Sequence, residues 1–150
     1  MAKNFRLRTS VRFVFPTGGQ SPFGSDQWQV APGLGFNWRL PELLRGVTVA
    51  PYARYFFGFD PRSQGVTTVR NLNIFPSVDF RLTGNWALSL FPEQAISYND
   101  RTNQWFVPIE AMLVNQPSKK FSYGFGGAYA LSRGDGSYRW LAEARLSFFF

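Results

Sequence analysis

The side chains that could do chemistry in this sequence are arginines and a few carboxylates, many of them set two residues apart. Glu93 and Glu110 could imitate the carboxylate pair that general acid–base catalysis uses. The sequence has no histidine and no cysteine, which removes disulfides, most transition-metal sites and nearly every nucleophile–histidine arrangement. Neither carboxylate belongs to a motif with a partner residue. We therefore predict no enzymatic activity, no catalytic residue, no cofactor and no metal site.

The charge of the chain is basic but dispersed. The net charge is +7, and arginines make up most of the 16 basic residues. Because these arginines occur singly rather than in clusters, the pattern argues against a nucleic-acid-binding patch. The length of 150 residues predicts a single domain covering residues 1–150.

Residues 138–150 explain the two-residue spacing of the charges. Even positions, from Tyr138 to Phe150, carry no charge, whereas odd positions include Arg139, Glu143 and Arg145. Side chains alternate across a strand, so this segment predicts one apolar face and one charged face. The same alternation occurs eight times, with no helix of any length between the segments. The predicted strands cover residues 4–15, 27–40, 47–59, 68–82, 86–98, 105–113, 121–132 and 138–150.

Side-chain volume decides which face points inward. A soluble, lipocalin-like barrel would turn its apolar face inward, whereas a membrane barrel turns it toward lipid. The polar face is rich in small residues such as Gly33, Gly35, Gly124 and Gly126. The interior of an eight-stranded barrel is only just wide enough for its own side chains, so the small-residue face suits the inside. We therefore predict an all-β fold, a transmembrane up-and-down antiparallel β-barrel of eight strands.

Aromatic residues occur near both ends of the predicted strands, with aliphatic residues between them. Two such girdles are typical of the two interfaces of a membrane. The predicted membrane-interface aromatics include Trp28, Trp38, Trp86, Tyr98, Trp105, Tyr129, Tyr138 and Trp140.

The inward positions carry a set of charges that a narrow lumen must pair or hydrate. The predicted lumen charges are Arg6, Arg8, Arg12, Arg39, Arg54, Asp79, Arg81, Glu93, Glu110, Arg139, Glu143 and Arg145. One interpretation is an ion-pair network that fills the lumen, because desolvated charges need partners. The other is a water-filled constriction that prefers anions. Prolines inside five of the strands predict bulges or weakened pairing, namely Pro32, Pro51, Pro76, Pro92 and Pro108.

The final strand, with Phe148 and Phe150 at its end, resembles the last strand of bacterial outer-membrane β-barrels. In that family the strand closes the barrel against the first one and serves as the signal for the outer-membrane assembly machinery. The resemblance implies a bacterial outer-membrane location and a periplasmic C-terminus. Residues 16–26, 60–67, 99–102 and 133–137 would then form the outer loops.

From about residue 73 onward the chain resembles a narrower group, the outer-membrane barrels classed as transporters or linked to a phenol-degradation pathway. The resemblance includes Pro76, the segment 82–86, Pro92, Asn103, the segment 105–108, Tyr129, Asp135, Gly136, Trp140 and the segment 148–150. It implies uptake of hydrophobic or aromatic small molecules. Members of the group are usually longer, so this chain resembles their C-terminal portion, and no substrate residue is carried over.

Two functions follow as expectations. The first is a structural or minimal membrane barrel module, natural or engineered from a larger barrel, whose partner is a lipid bilayer or detergent. The alternative is a channel or transporter for small hydrophobic or anionic solutes. Lipopolysaccharide phosphates are a candidate partner for the loop residues Arg62, Arg101 and Arg133. No secretory signal precedes Met1, which leads us to expect a mature, truncated or designed form.

Overall fold

β-strands account for nearly all of the regular structure in this chain. The computed structural model describes residues 4–16, 27–40, 46–61, 68–134 and 138–149. These residues contain no helix, and therefore none that is long and apolar enough to cross a membrane. The strands are β1 (Phe5–Val14), β2 (Gln27–Arg39), β3 (Val47–Val49), β4 (Tyr52–Pro61), β5 (Arg70–Phe75), β6 (Val78–Arg81), β7 (Trp86–Leu90), β8 (Ile96–Asn99), β9 (Gln104–Ser118), β10 (Phe121–Ser132) and β11 (Trp140–Phe148).

All of these strands belong to one antiparallel sheet. β1 pairs with β2, β2 with both β3 and β4, and the order continues to the β9–β10–β11 edge. The predicted all-β, antiparallel class is therefore confirmed. Where eight strands were predicted, the described residues form eleven, and eight of these close a ring.

The difference arises where three predicted strands each break in the middle. The predicted third strand becomes β3 and β4, the fourth becomes β5 and β6, and the fifth becomes β7 and β8. The breaks contain Pro51, Pro76 and Pro92, respectively. A proline has no N–H group to donate to a ladder, so pairing stops at each of these positions. The predicted weakening of pairing at these prolines is confirmed.

Two of the breaks lie directly beside each other. The register pairs Val49 with Val78 below the break and Tyr52 with Phe75 above it, without any shift, so Pro51 falls opposite Pro76. A single backbone hydrogen bond, from the Ala50 N–H to the Ser77 carbonyl at 2.8 Å, spans the gap. Because the register is preserved, the apolar face stays on one side of the sheet through both breaks.

The third break differs because it contains extra residues. Leu90 pairs with Ala111 and Ser97 with Phe106. The segment from Leu90 to Ser97 therefore contains two residues more than the segment of β9 that faces it. Phe91, the first residue of this break, adopts a positive φ of 52°. An insertion of two residues keeps the side chains in phase, so the alternation continues into β8.

The other two strand prolines lie inside continuous strands and disturb the ladder only locally. Beside Pro32, the β2–β4 ladder passes from Val30 directly to Gly33 without a change of register. Next to Pro108, the β9–β10 register shifts by a β-bulge.

The pairings close a ring of eight strands, β9–β7–β6–β3–β2–β4–β5–β8, that surrounds the three breaks. β2 and β9 are the unbroken sides of this ring. Outside it, β1 pairs only with β2 and β11 only with β10 among the described residues. The two outermost strands therefore present free edges.

The sheet curls toward its polar face, which we call the concave face. Strands in a sheet lie about 4.8 Å apart, so strands three positions apart are well beyond side-chain contact in a flat sheet. Arg145 of β11 nevertheless forms a hydrogen bond with Glu93, which lies between β7 and β8. The distance between Nη2 and Oε1 is 2.5 Å. On the other side of the sheet, Ser10 of β1 hydrogen-bonds Tyr52 of β4.

The exposure of the two faces is the reverse of that in a water-soluble sheet. On the opposite, convex face Leu7, Phe13 and Leu146 are 65%, 65% and 68% exposed. On the concave face Glu110 and Met112 are both only 1% exposed. The small-residue, polar side of the strands is thus the covered side.

Candidate functional site

One half of the concave face carries several carboxylates, which are grouped around Glu110 on β9. Its Oε2 accepts hydrogen bonds from the backbone N–H groups of Glu93 at 3.0 Å and Gln94 at 2.7 Å. These donors belong to the break between β7 and β8 that contains the two-residue insertion, and the ladder offers them no strand partner there. The buried carboxylate therefore holds the insertion in place, although its Oε1 has no hydrogen-bond partner among the described residues.

Arg145 connects this half to the last strand. Its guanidinium bonds Glu93 Oε1 at 2.5 Å and approaches Glu143 Oε1 at 3.4 Å. These three residues are the members of the predicted lumen set that form ion pairs among the described residues. The predicted ion-pair network therefore covers only one side of the concave face.

Two predicted positions at the start of the last strand exchange sides. Tyr138, predicted to be an interface aromatic, turns inward, where it donates to Gln94 Oε1 at 2.9 Å and packs edge-on against Phe106. Arg139, predicted to line the lumen, instead hydrogen-bonds Tyr129 on the convex face. The physical reason is that regular alternation begins only at Trp140, the first residue of β11.

The other half of the concave face is rich in arginine. The remaining predicted lumen residues there are Arg6, Arg8, Arg12, Arg39, Arg54, Asp79 and Arg81. None of these arginines forms an ion pair within the described ranges. Asp79, the single carboxylate among them, accepts a 2.6 Å hydrogen bond from Ser89. The concave face is therefore divided into a paired, acidic side and an unpaired, basic side.

Tyr52 is the central residue of the arginine half. Its ring extends over β2, where a Cβ on Gly33 would overlap the Tyr52 hydroxyl and a Cβ on Gly35 would lie 2.9 Å from its Cδ2. The two glycines thus leave the space in which the ring lies along the sheet. The ring also contacts Phe75, with 6.1 Å between ring centroids.

Two arginines converge on this ring. The guanidinium carbons of Arg8 and Arg54 lie 5.5 Å and 5.1 Å from the Tyr52 centroid, which is cation–π distance. Arg54 also donates from Nη2 to the Tyr52 hydroxyl at 3.1 Å. Two positive groups therefore lie on one ring, and neither forms an ion pair among the described residues.

A cavity of about 320 Å³ opens beside these residues. Its wall includes Arg8, Tyr52 and Arg54. Ser77, between β5 and β6, and Pro92, between β7 and β8, also line it. Smaller recesses of about 180 Å³ and 250 Å³ continue along the arginine half, and Arg39 lines both. The interior was predicted to be filled by side chains. Side chains do fill the concave face around Glu110, but a cavity remains beside Tyr52.

Replacing Gly33 with alanine is expected to destabilise the fold by roughly 1–3 kcal/mol, the usual range for overpacking. The new methyl group must displace the Tyr52 ring and break its bonds to Ser10 and Arg54. Urea unfolding of the detergent-folded protein measures the effect. Gly124→Ala is the matched control, because its Cβ would meet no heavy atom closer than 3.2 Å.

A Tyr52→Ala background tests the cause. Without the ring, Gly33→Ala should cost clearly less, because the remaining close contact is the Ala53 carbonyl oxygen at 3.1 Å. An equal loss in both backgrounds would contradict the assignment of Gly33 to Tyr52.

On the convex face, aromatic residues meet across strands near both ends of the sheet. Tyr98 lies opposite Trp105 and Tyr129 opposite Trp140 at one end. The other predicted interface aromatics form similar contacts: Trp28 with Phe15, Trp38 opposite Phe5, Trp86 with Tyr123, and Phe148 with Phe121. Phe150, predicted to be part of the assembly signal, and the loop residue Arg62 lie outside the described residues.

Within the ranges that the structure describes, no group of three or more His, Cys, Asp or Glu side chains is arranged to hold a metal ion. Sequence reasoning did not identify the roles of Tyr52, Gly33 and Gln94. A signal for the first two was present, since glycines two residues apart on one face leave room for a neighbouring ring. Comparison of the chain with protein-family models, curated proteins and solved structures found no match.

Proposed function

We propose that this chain is an integral outer-membrane β-barrel of eight membrane-crossing segments, acting as a structural or minimal membrane barrel module. The observation that carries the proposal is the inverted burial of the sheet. Large apolar side chains are exposed along the convex face, whereas the buried polar and charged residues include Gln27, Glu110, Asn115 and Ser122. A lipid environment removes the cost of that arrangement, since the convex face then meets hydrocarbon.

The scale of the exposure disfavours a water-soluble sheet. Twenty large hydrophobic residues are exposed among the described ones, and the buried hydrophobic residues are Ala31, Val47, Met112, Ala128 and Ala130. Soluble monomers rarely expose contiguous apolar patches beyond a few hundred Å². With three alanines among five core residues, the fully buried apolar core of the described residues is small.

Closure of the barrel follows from the same environment. Within hydrocarbon, the free backbone groups of β1 and β11 have no water to bond, so the two edges are expected to pair with each other. On the concave face β1 contributes Arg6, Arg8 and Arg12, whereas β11 contributes Glu143 and Arg145, which contact each other. The expected match of the two edges therefore rests on backbone hydrogen bonding.

The absence of native cysteine allows a direct test of closure. Val11→Cys would be combined in turn with a cysteine at Ala142, Ala144, Leu146 or Phe148, the convex positions of β11. In lipid vesicles we expect one of these pairs to form a disulfide efficiently, because Cα atoms of paired strands lie within disulfide range. Leu88→Cys with Val11→Cys is the control pair and should stay reduced. Failure of all four pairs in lipid would contradict a closed barrel.

A channel for small anionic solutes is the second candidate, favoured by the recesses along the arginine half of the concave face. Planar-bilayer recording tests it. Discrete conductance with a reversal potential that favours anions is expected if those recesses connect across the membrane. Silence of the inserted protein would leave the structural module as the function.

The resemblance to outer-membrane barrels of a transport or phenol-degradation group belongs to this proposal as well. It agrees with the inverted faces and with the strand prolines, which recur in that group. Under the same proposal, the assembly machinery of the outer membrane handles the chain in cells. Arg101 and Arg133, both exposed, would face lipopolysaccharide phosphates.

A further inference from the structure

The cavity beside Tyr52 combines two kinds of wall. Arg8 and Arg54 supply two positive charges, and the wall includes Ser77, whose hydroxyl donates to the Phe91 carbonyl at 2.9 Å. Phe75 and Pro92 supply apolar surface on the same cavity. A ligand that suits both kinds of wall has one negative end and one apolar end.

The positive charges of this cavity are not neutralised by the described part of the protein. Neither arginine forms an ion pair there. Arg8 has a long 3.5 Å contact with the Asn37 side chain, and Arg54 bonds the neutral Tyr52 hydroxyl. The Arg54 Nε is buried and has no hydrogen-bond partner among the described residues. The two guanidiniums of the cavity therefore have no anionic partner among the described residues.

The two guanidiniums share one aromatic ring. Both lie within cation–π distance of Tyr52, whose hydroxyl bonds Ser10 and Arg54. Arg54 is half-buried and Arg8 is exposed. Arginine forks also bind carboxylates in a bidentate manner.

We propose that this cavity binds a small organic carboxylate. The carboxylate end lies between Arg8 and Arg54, and the apolar body lies against Phe75 and Pro92. The site is formed by the folded concave face, so it goes beyond the proposed membrane module and requires no conduction. Failure of binding and failure of barrel closure are therefore separate outcomes.

Titration calorimetry on the detergent-folded protein tests the proposal, with benzoate as the probe and benzamide as its neutral analogue. We expect benzoate to bind and benzamide to bind at least tenfold more weakly. Arg8→Gln and Arg54→Gln should each raise the Kd for benzoate at least tenfold. Arg12→Gln is the matched control, because Arg12 lies on the same strand and face but does not line the cavity, and its Kd should change less than twofold.

A second variant keeps the test independent of arginine removal. Ser77→Asp places a carboxylate inside the cavity and should exclude benzoate by occupying the same arginines. An unchanged Kd in this variant would overturn the site. An equal loss in Arg12→Gln would overturn it as well, since binding would then follow overall charge. Tighter binding of inorganic phosphate than of benzoate would overturn the choice of an organic ligand.

Discussion

Replacing Leu34 with arginine is expected to make folding into a bilayer less favourable by roughly 2–4 kcal/mol, the depth-dependent cost of a charge on the lipid face of a barrel. Leu34 is 58% exposed on the convex face. It lies in the middle of β2, between Thr9 of β1 and Ala53 of β4. Urea titration of the protein folded in phosphatidylcholine vesicles measures the change.

Asn85→Arg is the matched control for this prediction. It adds the same charge at an exposed turn position just before β7, and should change the folding free energy by less than about 0.5 kcal/mol. Equal behaviour of the two variants in vesicles would mean that the convex face does not meet lipid. That result would remove the main support for the proposed function.

Replacing Glu110 with alanine is expected to destabilise the protein by about 2–5 kcal/mol, because it leaves buried backbone donors without an acceptor. The carboxylate is 1% exposed and accepts from the N–H groups of Glu93 and Gln94. Glu110→Gln keeps one acceptor oxygen and should lose only part of that stability. Equilibrium unfolding in detergent separates the three proteins.

Glu143→Ala provides the comparison on the same concave face. Glu143 has a single, long 3.4 Å contact with Arg145 and a side chain that is 23% exposed. Its removal should cost less than about 1 kcal/mol, as is usual for a weak, partly solvated pair. If Glu110→Ala proved no more harmful than Glu143→Ala, the carboxylate would not be what holds the insertion.

The sequence was sufficient to predict the class and order of the fold because a two-residue alternation is local and repeated. The alternation from Trp140 onward, for example, corresponds directly to β11. The positions of ladder weakness at Pro51, Pro76 and Pro92 were also predictable, since a missing N–H group is a property of the residue itself.

The candidate site was not predictable to the same extent, because it depends on register and curvature. That Glu110 would accept from the insertion depends on two extra residues that only the pairing with β9 reveals. That Arg8 and Arg54 would share the Tyr52 ring depends on three strands lying side by side. Tyr138 and Arg139 were assigned to the wrong sides because alternation cannot be extended beyond the first residue of a strand.

The alignment of the three proline-containing breaks has a mechanical consequence. Pro51 faces Pro76, and the insertion at Pro92 lies on the next strand, so the weak points of three successive strands form one line across the sheet. β2 and β9 run past this line without interruption. Few hydrogen bonds cross this line, so the sheet can bend along it while β2 and β9 stay continuous on either side. The Tyr52 cavity lies at this line of breaks, since Ser77 and Pro92 are part of the cavity wall.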